Sequence, residues 1–242
     1  MKKYVIAFFF STLLKVSFPQ AQGTFIYETD YSDPIATGKV ITKIYESKSM
    51  VRIESNNTST KSSLGPPKSE DQDIILMNFD NSTETHLSAE RKTAIITQFT
   101  MVMSEEALKN IGTLETIQNM GQEKIGNYSC THFVMTSTNP KYKSGYTAKK
   151  DFWITKDLGI GYVHFVGSYL YYPKGSAAFK KLADAGAEGI VVRWQVIDPI
   201  TKQPKICNLI NYQSGQVPAS NFAPPAGYQV IHRENMTMTP KS

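Results

Sequence analysis

Apolar and polar residues alternate one by one along short stretches of this chain, and polar or glycine-containing breaks separate the stretches. GTFIYETD (23–30) and GKVITKIYES (38–47) are rich in β-branched and aromatic residues with this period of two. In SMVRIES (49–55), Met50, Arg52 and Glu54 alternate with Val51 and Ile53, so one side of the segment is wet and the other dry. The very short break at Glu46–Ser49 predicts a hairpin. DIILMNFDN (73–81), ETHLSAE (84–90) and KTAIITQFT (92–100) read as an up-and-down meander. TIQNMGQEKIG (116–126), YSCTHFVMTST (128–138) and YTAKKDFWITK (146–156) form another run. GIVVRWQVID (189–198) and KICNLINYQSG (205–215) form a hairpin across PITKQP, and a last short strand is expected at Tyr228–His232. Sequence-adjacent strands joined by short turns make an antiparallel sheet, so the chain is mainly β, with about ten strands.

Two segments break the alternation with helical spacing. MSEEALKNIG (103–112) has Ser104 as a cap, Glu105 and Glu106 in the first turn and Gly112 as a stop. Within GSYLYYPKGSAAFKKLADAG (167–186), Ser176 can cap and Gly186 can end a second helix, with Ala178, Phe179 and Leu182 on one side. Residues 55–72, SNNTSTKSSLGPPKSEDQ, are nearly all polar and predict a long mobile loop, because they offer little apolar area to offset their ordering entropy.

The N-terminus begins with Lys2 and Lys3 and continues through an apolar run, Tyr4–Leu14, too short to span a bilayer. It reads as a signal peptide, residues 1–21, with Ala21 the last residue before cleavage. Residues 22–242 then form a single domain, periplasmic or secreted in a Gram-negative bacterium, and not membrane-spanning. The net charge of +5 comes mostly from this leader: removing Lys2, Lys3 and Lys15 leaves 23 basic against 21 acidic residues. No basic stripe for nucleic acid remains.

The candidate chemistry is sparse. Two cysteines, Cys130 and Cys207, in an exported chain point to a disulfide, with two separate buried thiols as the alternative. A nucleophilic Cys130 paired with His132 is disfavoured, because residues i and i+2 on a strand stand about 7 Å apart. His86, His132, His164 and His232 are scattered, without metal-ligand spacing, and no cofactor motif is present. No G-x-S-x-G and no spaced carboxylate pair selects a hydrolase, so no catalytic residue is assigned and the expectation is a protein that is not an enzyme. Aromatic residues crowd the region around the second predicted helix, either as core or as the wall of an apolar groove.

As an ordered set, several segments resemble the family known as domain of unknown function 4412. These are TGKVITKIYESKSMVRIES with IILMNFDNSTETHLSAERKTAII, EKIGNYSCTHFVM with its G-Y-x-C-like strand (Asn127 intervening), FWITKDLG, and VPASNFAPPAGYQVI. That family is similar in architecture to the LolA-like lipoprotein carriers. The resemblance implies a curved antiparallel sheet forming a half-open β-barrel with helices on its concave side. It also implies a hydrophobic cavity for a lipid or another hydrophobic small molecule, and brings no catalytic residues. The ligand-binding residues expected on this basis are Trp153, Phe165, Tyr169, Tyr171, Phe179 and Trp194. The rival readings are a cell-envelope structural or interaction protein with a packed interior, and a hydrolase whose site one sequence does not reveal.

Overall fold

A computed structural model describes residues 21–32, 36–62, 73–98, 114–139, 146–159, 184–197 and 202–233. The first six strands are β1 (Gly23–Ser32), β2 (Ala36–Glu46), β3 (Met50–Ser62), β4 (Asp73–Asn78), β5 (Thr83–Ser88) and β6 (Thr93–Gln98). The remainder are β7 (Leu114–Ile125), β8 (Tyr128–Asn139), β9 (Tyr146–Thr155), β10 (Ile190–Ile197), β11 (Pro204–Ser214) and β12 (Gln229–Arg233). They form one sheet in the order β12-β6-β5-β4-β3-β2-β1-β11-β10-β9-β8-β7. Two meanders, β1 to β6 and β7 to β11, meet where β1 pairs with β11. All pairings are antiparallel except that of β12 with β6, which is parallel: the chain leaves β11 at the junction of the two meanders and crosses back to run β12 in the same direction as β11. Among the described residues β7 and β12 remain the two edges, so the sheet does not close.

Local chemistry accounts for the turns. Ser47 N donates to Met50 O at 2.9 Å to close the expected hairpin between β2 and β3. Asn78 Oδ1 accepts from the backbone of Asp80 and Asn81 at 3.0 and 3.3 Å, an Asx arrangement that turns β4 into β5. Gly126, with φ of +58°, takes the left-handed position of the tight turn joining β7 to β8.

The structure corrects the expected loop at 55–72. β3 continues to Ser62 and pairs with β2 back to Ala36, while 63–72 lies outside the described residues. The polarity of SNNTSTKS is that of side chains, and ladder hydrogen bonds come from the backbone. Tyr31 Oη donates to Asn57 Oδ1 at 2.8 Å, and Thr58 Oγ1 donates to Lys39 O at 3.1 Å, so polar side chains also tie the three strands together. Helices on a concave side find no support among the described residues. Apart from Asp184, the only helical stretch there is the 3-10 turn Ala219–Phe222. The helix expected at 103–112 and most of that expected within 167–186 lie outside them, as do residues 1–20 of the expected signal peptide.

Alternation places the core. On β1, Gly23, Phe25, Tyr27 and Thr29 are buried while their neighbours are partly exposed. Following the register sideways, Phe25 stands opposite Ile44, Ile44 opposite Ile53, and Ile53 opposite Ile75. Each strand contributes one apolar side chain to a continuous row, and Tyr212 extends it on the other side, stacked on Phe25 at 4.6 Å. Ala21, the residue expected to precede cleavage, packs in this core, a contact that a mature chain starting at Gln22 would lack. The opposite side of the first meander carries a second, smaller cluster of Ile74, Leu76, Leu87 and Ala94, against which Tyr228 packs. Arg52 Nη1 donates to Asn221 O at 3.1 Å and pins the segment after β11 to β3. Strand β4 is therefore buried on both faces, which explains its unbroken apolar run IILM.

Candidate ligand-binding face

Side chains directly opposite one another on paired strands leave the same face of a sheet. Trp194 on β10 stands opposite Phe152 on β9, and Phe152 opposite Phe133 on β8. On its other side Trp194 stands opposite Cys207 on β11, and Cys207 opposite Thr29 on β1. This row joins the Phe25 row, and together they make one apolar face with three aromatic rings side by side. Phe25, Phe133, Phe152 and Trp194 are all buried members of the main core.

A few polar groups interrupt this face. Tyr27 Oη donates to Val191 O at 3.0 Å, reaching over β11 to the place where the β9–β10 register shifts and Val192 bulges out of the ladder. Burial, reinforced by the neighbouring Cys207 and Glu46, raises the Tyr27 phenol well above its ordinary pKa. Thr29 and Thr42 are buried, and the Thr42 and Ser55 hydroxyls lie 3.4 Å apart. Burial pushes the Cys207 thiol up to about 11 against the smaller opposing pull of Thr29 and Trp194. The Trp194 indole Nε1 is buried without a well-formed hydrogen bond, facing only the weakly accepting Cys207 sulphur.

Trp153 belongs to the other face. It stands opposite His132 on one side and Arg193 on the other. The His132 ring stacks on it at 4.5 Å and 7°, and the Arg193 guanidinium lies 5.8 Å from its centroid. Trp153 Nε1 donates to Glu123 Oε2 at 2.6 Å, His132 Nε2 meets Asp151 Oδ1 at 2.9 Å, and Arg193 Nε donates to Asn208 Oδ1 at 2.8 Å. Each polar end in this array is answered by a neighbour, and the indole is flanked on both sides. Sequence reasoning did not find this group, since it is assembled from five strands, β7 to β11, whose mutual register only the fold defines.

Of the expected ligand-binding residues, Trp153 and Trp194 are thus separated onto opposite faces, and Phe165, Tyr169, Tyr171 and Phe179 lie outside the described residues. The expected disulfide is not formed: Cys130 and Cys207 are both buried free thiols. They sit on β8 and β11, three strand spacings apart, which is about 14 Å at strand separation, against the roughly 7 Å limit for a bridge. Cys130 Sγ donates to Tyr128 O at 3.7 Å, away from His132. Its pKa is also pushed up to about 11 by burial, with Asp157 and Glu123 adding to the effect. Neither thiol is set up as a nucleophile. Among the described residues no three of His, Cys, Asp and Glu gather as a metal-holding group.

Among curated proteins none matches this chain. Among solved structures it is similar to the Mycobacterium tuberculosis lipoprotein LppX, with 10% identity over 79% of this chain and 86% of that one and a TM-score of 0.32. It is also similar to a Bacteroides fragilis protein described as exported with a YmcC-like fold, with 12% identity, coverage of 82% and 99%, and a TM-score of 0.27. A third is a DUF1329 family protein from Desulfovibrio piger, with 14% identity, coverage of 84% and 90%, and a TM-score of 0.25. Overlaps this slight fix neither fold nor activity. The family match is another matter, because it spans most of the chain from the β1 end to the residue before β12. Residues 32–228 match the domain of unknown function DUF4412, and the chain belongs to that family.

Proposed function

We propose that this protein is an exported, non-catalytic binder of an apolar or amphipathic ligand, a lipid or another hydrophobic small molecule, held against the apolar face of its sheet. The observation that carries the reading is the aromatic row of Phe133, Phe152 and Trp194, continuous with the Phe25–Ile44–Ile53–Ile75 row on one face. Apolar walls with a few placed polar groups are the chemistry of a hydrophobic binding site. Export rests on Lys2, Lys3 and the short apolar run that follows them. No helix among the described residues is long and apolar enough to cross a membrane. Binding rather than catalysis is supported by the two thiols, which burial holds protonated.

Native mass spectrometry of the protein purified from its export compartment, combined with titration of a fluorescent fatty-acid probe, tests the reading. A co-purifying lipid and saturable probe uptake are expected. Trp194→Ala should weaken uptake, whereas Trp153→Ala, on the other face, should act on stability alone. Absence of both lipid and saturable uptake would favour the rival reading, a packed structural or interaction domain.

A further inference from the structure

We infer that the ligand's polar end is the carbonyl oxygen of a neutral acyl ester, accepting a hydrogen bond from the Trp194 indole N–H. The inference rests on the ligand-binding reading above and names the chemistry of its ligand. Trp194 is only 3% exposed, yet its Nε1 makes no well-formed hydrogen bond and has only the weakly accepting Cys207 sulphur to turn to. The second tryptophan shows that the fold satisfies such a group where it needs to: Trp153 Nε1 donates to Glu123 at 2.6 Å. A buried N–H left with only a weak acceptor costs free energy that a guest oxygen would recover.

The surroundings of Trp194 select the kind of oxygen. Opposite it stands Cys207, and opposite Cys207 stands Thr29, and the Trp194 indole and the Thr29 hydroxyl both act on the Cys207 sulphur, which is a weak acceptor. An oxygen acceptor placed between them would compete well with that sulphur. The same position is hostile to charge. The Cys207 thiol is pushed up to about 11 chiefly by burial, and Lys205, two residues along the strand, has the smallest of the influences on it. An ionised carboxylate there would lose its hydration without gaining a close cation, whereas an ester carbonyl needs only one or two donors. The chain beyond the carbonyl would then lie along Phe152 and Phe133.

The test uses the full mature protein, with 15N-labelled tryptophan and the apolar fluorophore 1-N-phenylnaphthylamine as the displaced probe. Methyl laurate, laurate at pH 8 and dodecane share one chain length and differ only at the end. Methyl laurate is expected to move the Trp194 indole N–H resonance downfield, assigned with Trp153→Phe, and to displace the fluorophore about tenfold more effectively than dodecane. Trp194→Phe keeps the ring and removes the donor, and should erase that advantage while leaving dodecane unchanged. Dilauroylglycerol and a dilauroylglyceryl-cysteine peptide separate a glycerolipid from a lipid-modified polypeptide as the ester's source, and binding of at least one is required. Laurate outcompeting methyl laurate, an indole resonance that no ester moves, or a Trp194→Phe variant weakening ester and alkane alike would each overturn the inference while leaving the ligand-binding reading standing. Failure of all the compounds to displace the fluorophore would overturn both. Should Trp194→Phe not fold, the indole shift in the wild-type protein decides alone.

Discussion

Trp153 and Trp194 sit on adjacent strands yet leave opposite faces of the sheet, because Trp194 stands across from Phe152 while Trp153 stands across from Arg193. One indole has its N–H bonded to Glu123 and its ring flanked by His132 and Arg193, and the other stands beside Phe152 with only a weakly accepting sulphur for its N–H. The same residue type therefore serves two purposes a single strand spacing apart.

Trp153→Phe tests the first of these purposes. It removes the donor to Glu123 while keeping a ring beside His132. Loss of a hydrogen bond to a carboxylate predicts destabilisation of about 1–2 kcal/mol by urea unfolding. Uptake of an apolar probe should be unchanged, and a parallel loss of probe binding would show that the two faces are not independent.

The thiols give a second prediction. With both pKa values pushed to about 11, thiolate at pH 8 is about one part in a thousand, and both sulphurs are buried. The native protein should resist iodoacetamide, and adding denaturant should release two equivalents of reactive thiol without a reductant. Intact mass under non-reducing conditions checks this: a species two hydrogens lighter, carrying an internal bridge, would contradict the register of β8 and β11.

Much of this architecture is written locally. Period-two alternation located the strands, and short turns made them antiparallel, because both depend on neighbours in sequence. What alternation cannot supply is long-range register. Cys130 and Cys207 look like a pair only while the number of strands between them is unknown, and that number follows from the chain laying β11, β10, β9 and β8 side by side. The Val192 bulge has the same consequence for the tryptophans, since without that one extra residue the register would set Asp151, and not Phe152, opposite Trp194. Residues 55–62 depart from the expected loop for a related reason: a polar sequence argues against a buried strand but says nothing against one held by its partner's backbone and by Thr and Asn side chains.

A pH dependence follows from His86, which is paired with Glu84 on β5. The hydrogen bond to Glu84 raises the His86 pKa, with Asp73 adding to the effect, while burial and Arg233 oppose it. A folded-state pKa above the unfolded value near 6.5 means the stabilisation is fully present below that value and is lost as pH rises through the folded pKa. The group is half exposed, so solvent screening limits its worth to a few tenths of a kcal/mol. His86→Gln should flatten the small decline in urea midpoint between pH 6 and pH 8. An unchanged decline in the variant would assign it to another group.

Tyr27→Phe probes the bulge itself. The Tyr27 hydroxyl bonds the carbonyl of Val191 at 3.0 Å, in a buried place where the β9–β10 ladder is interrupted. Without it that carbonyl loses its side-chain donor, and the phenyl ring remains to fill the same volume, so the loss isolates the hydrogen bond from the packing. The expected cost is about 1–3 kcal/mol, the penalty for stranding a buried acceptor, seen as a lower urea midpoint with an unchanged slope. The bulge also sets Trp194 opposite Phe152, so loosening it should disturb the Trp194 indole resonance more than that of Trp153. If stability falls and only the Trp153 resonance moves, the hydroxyl is not what holds β10 in its register.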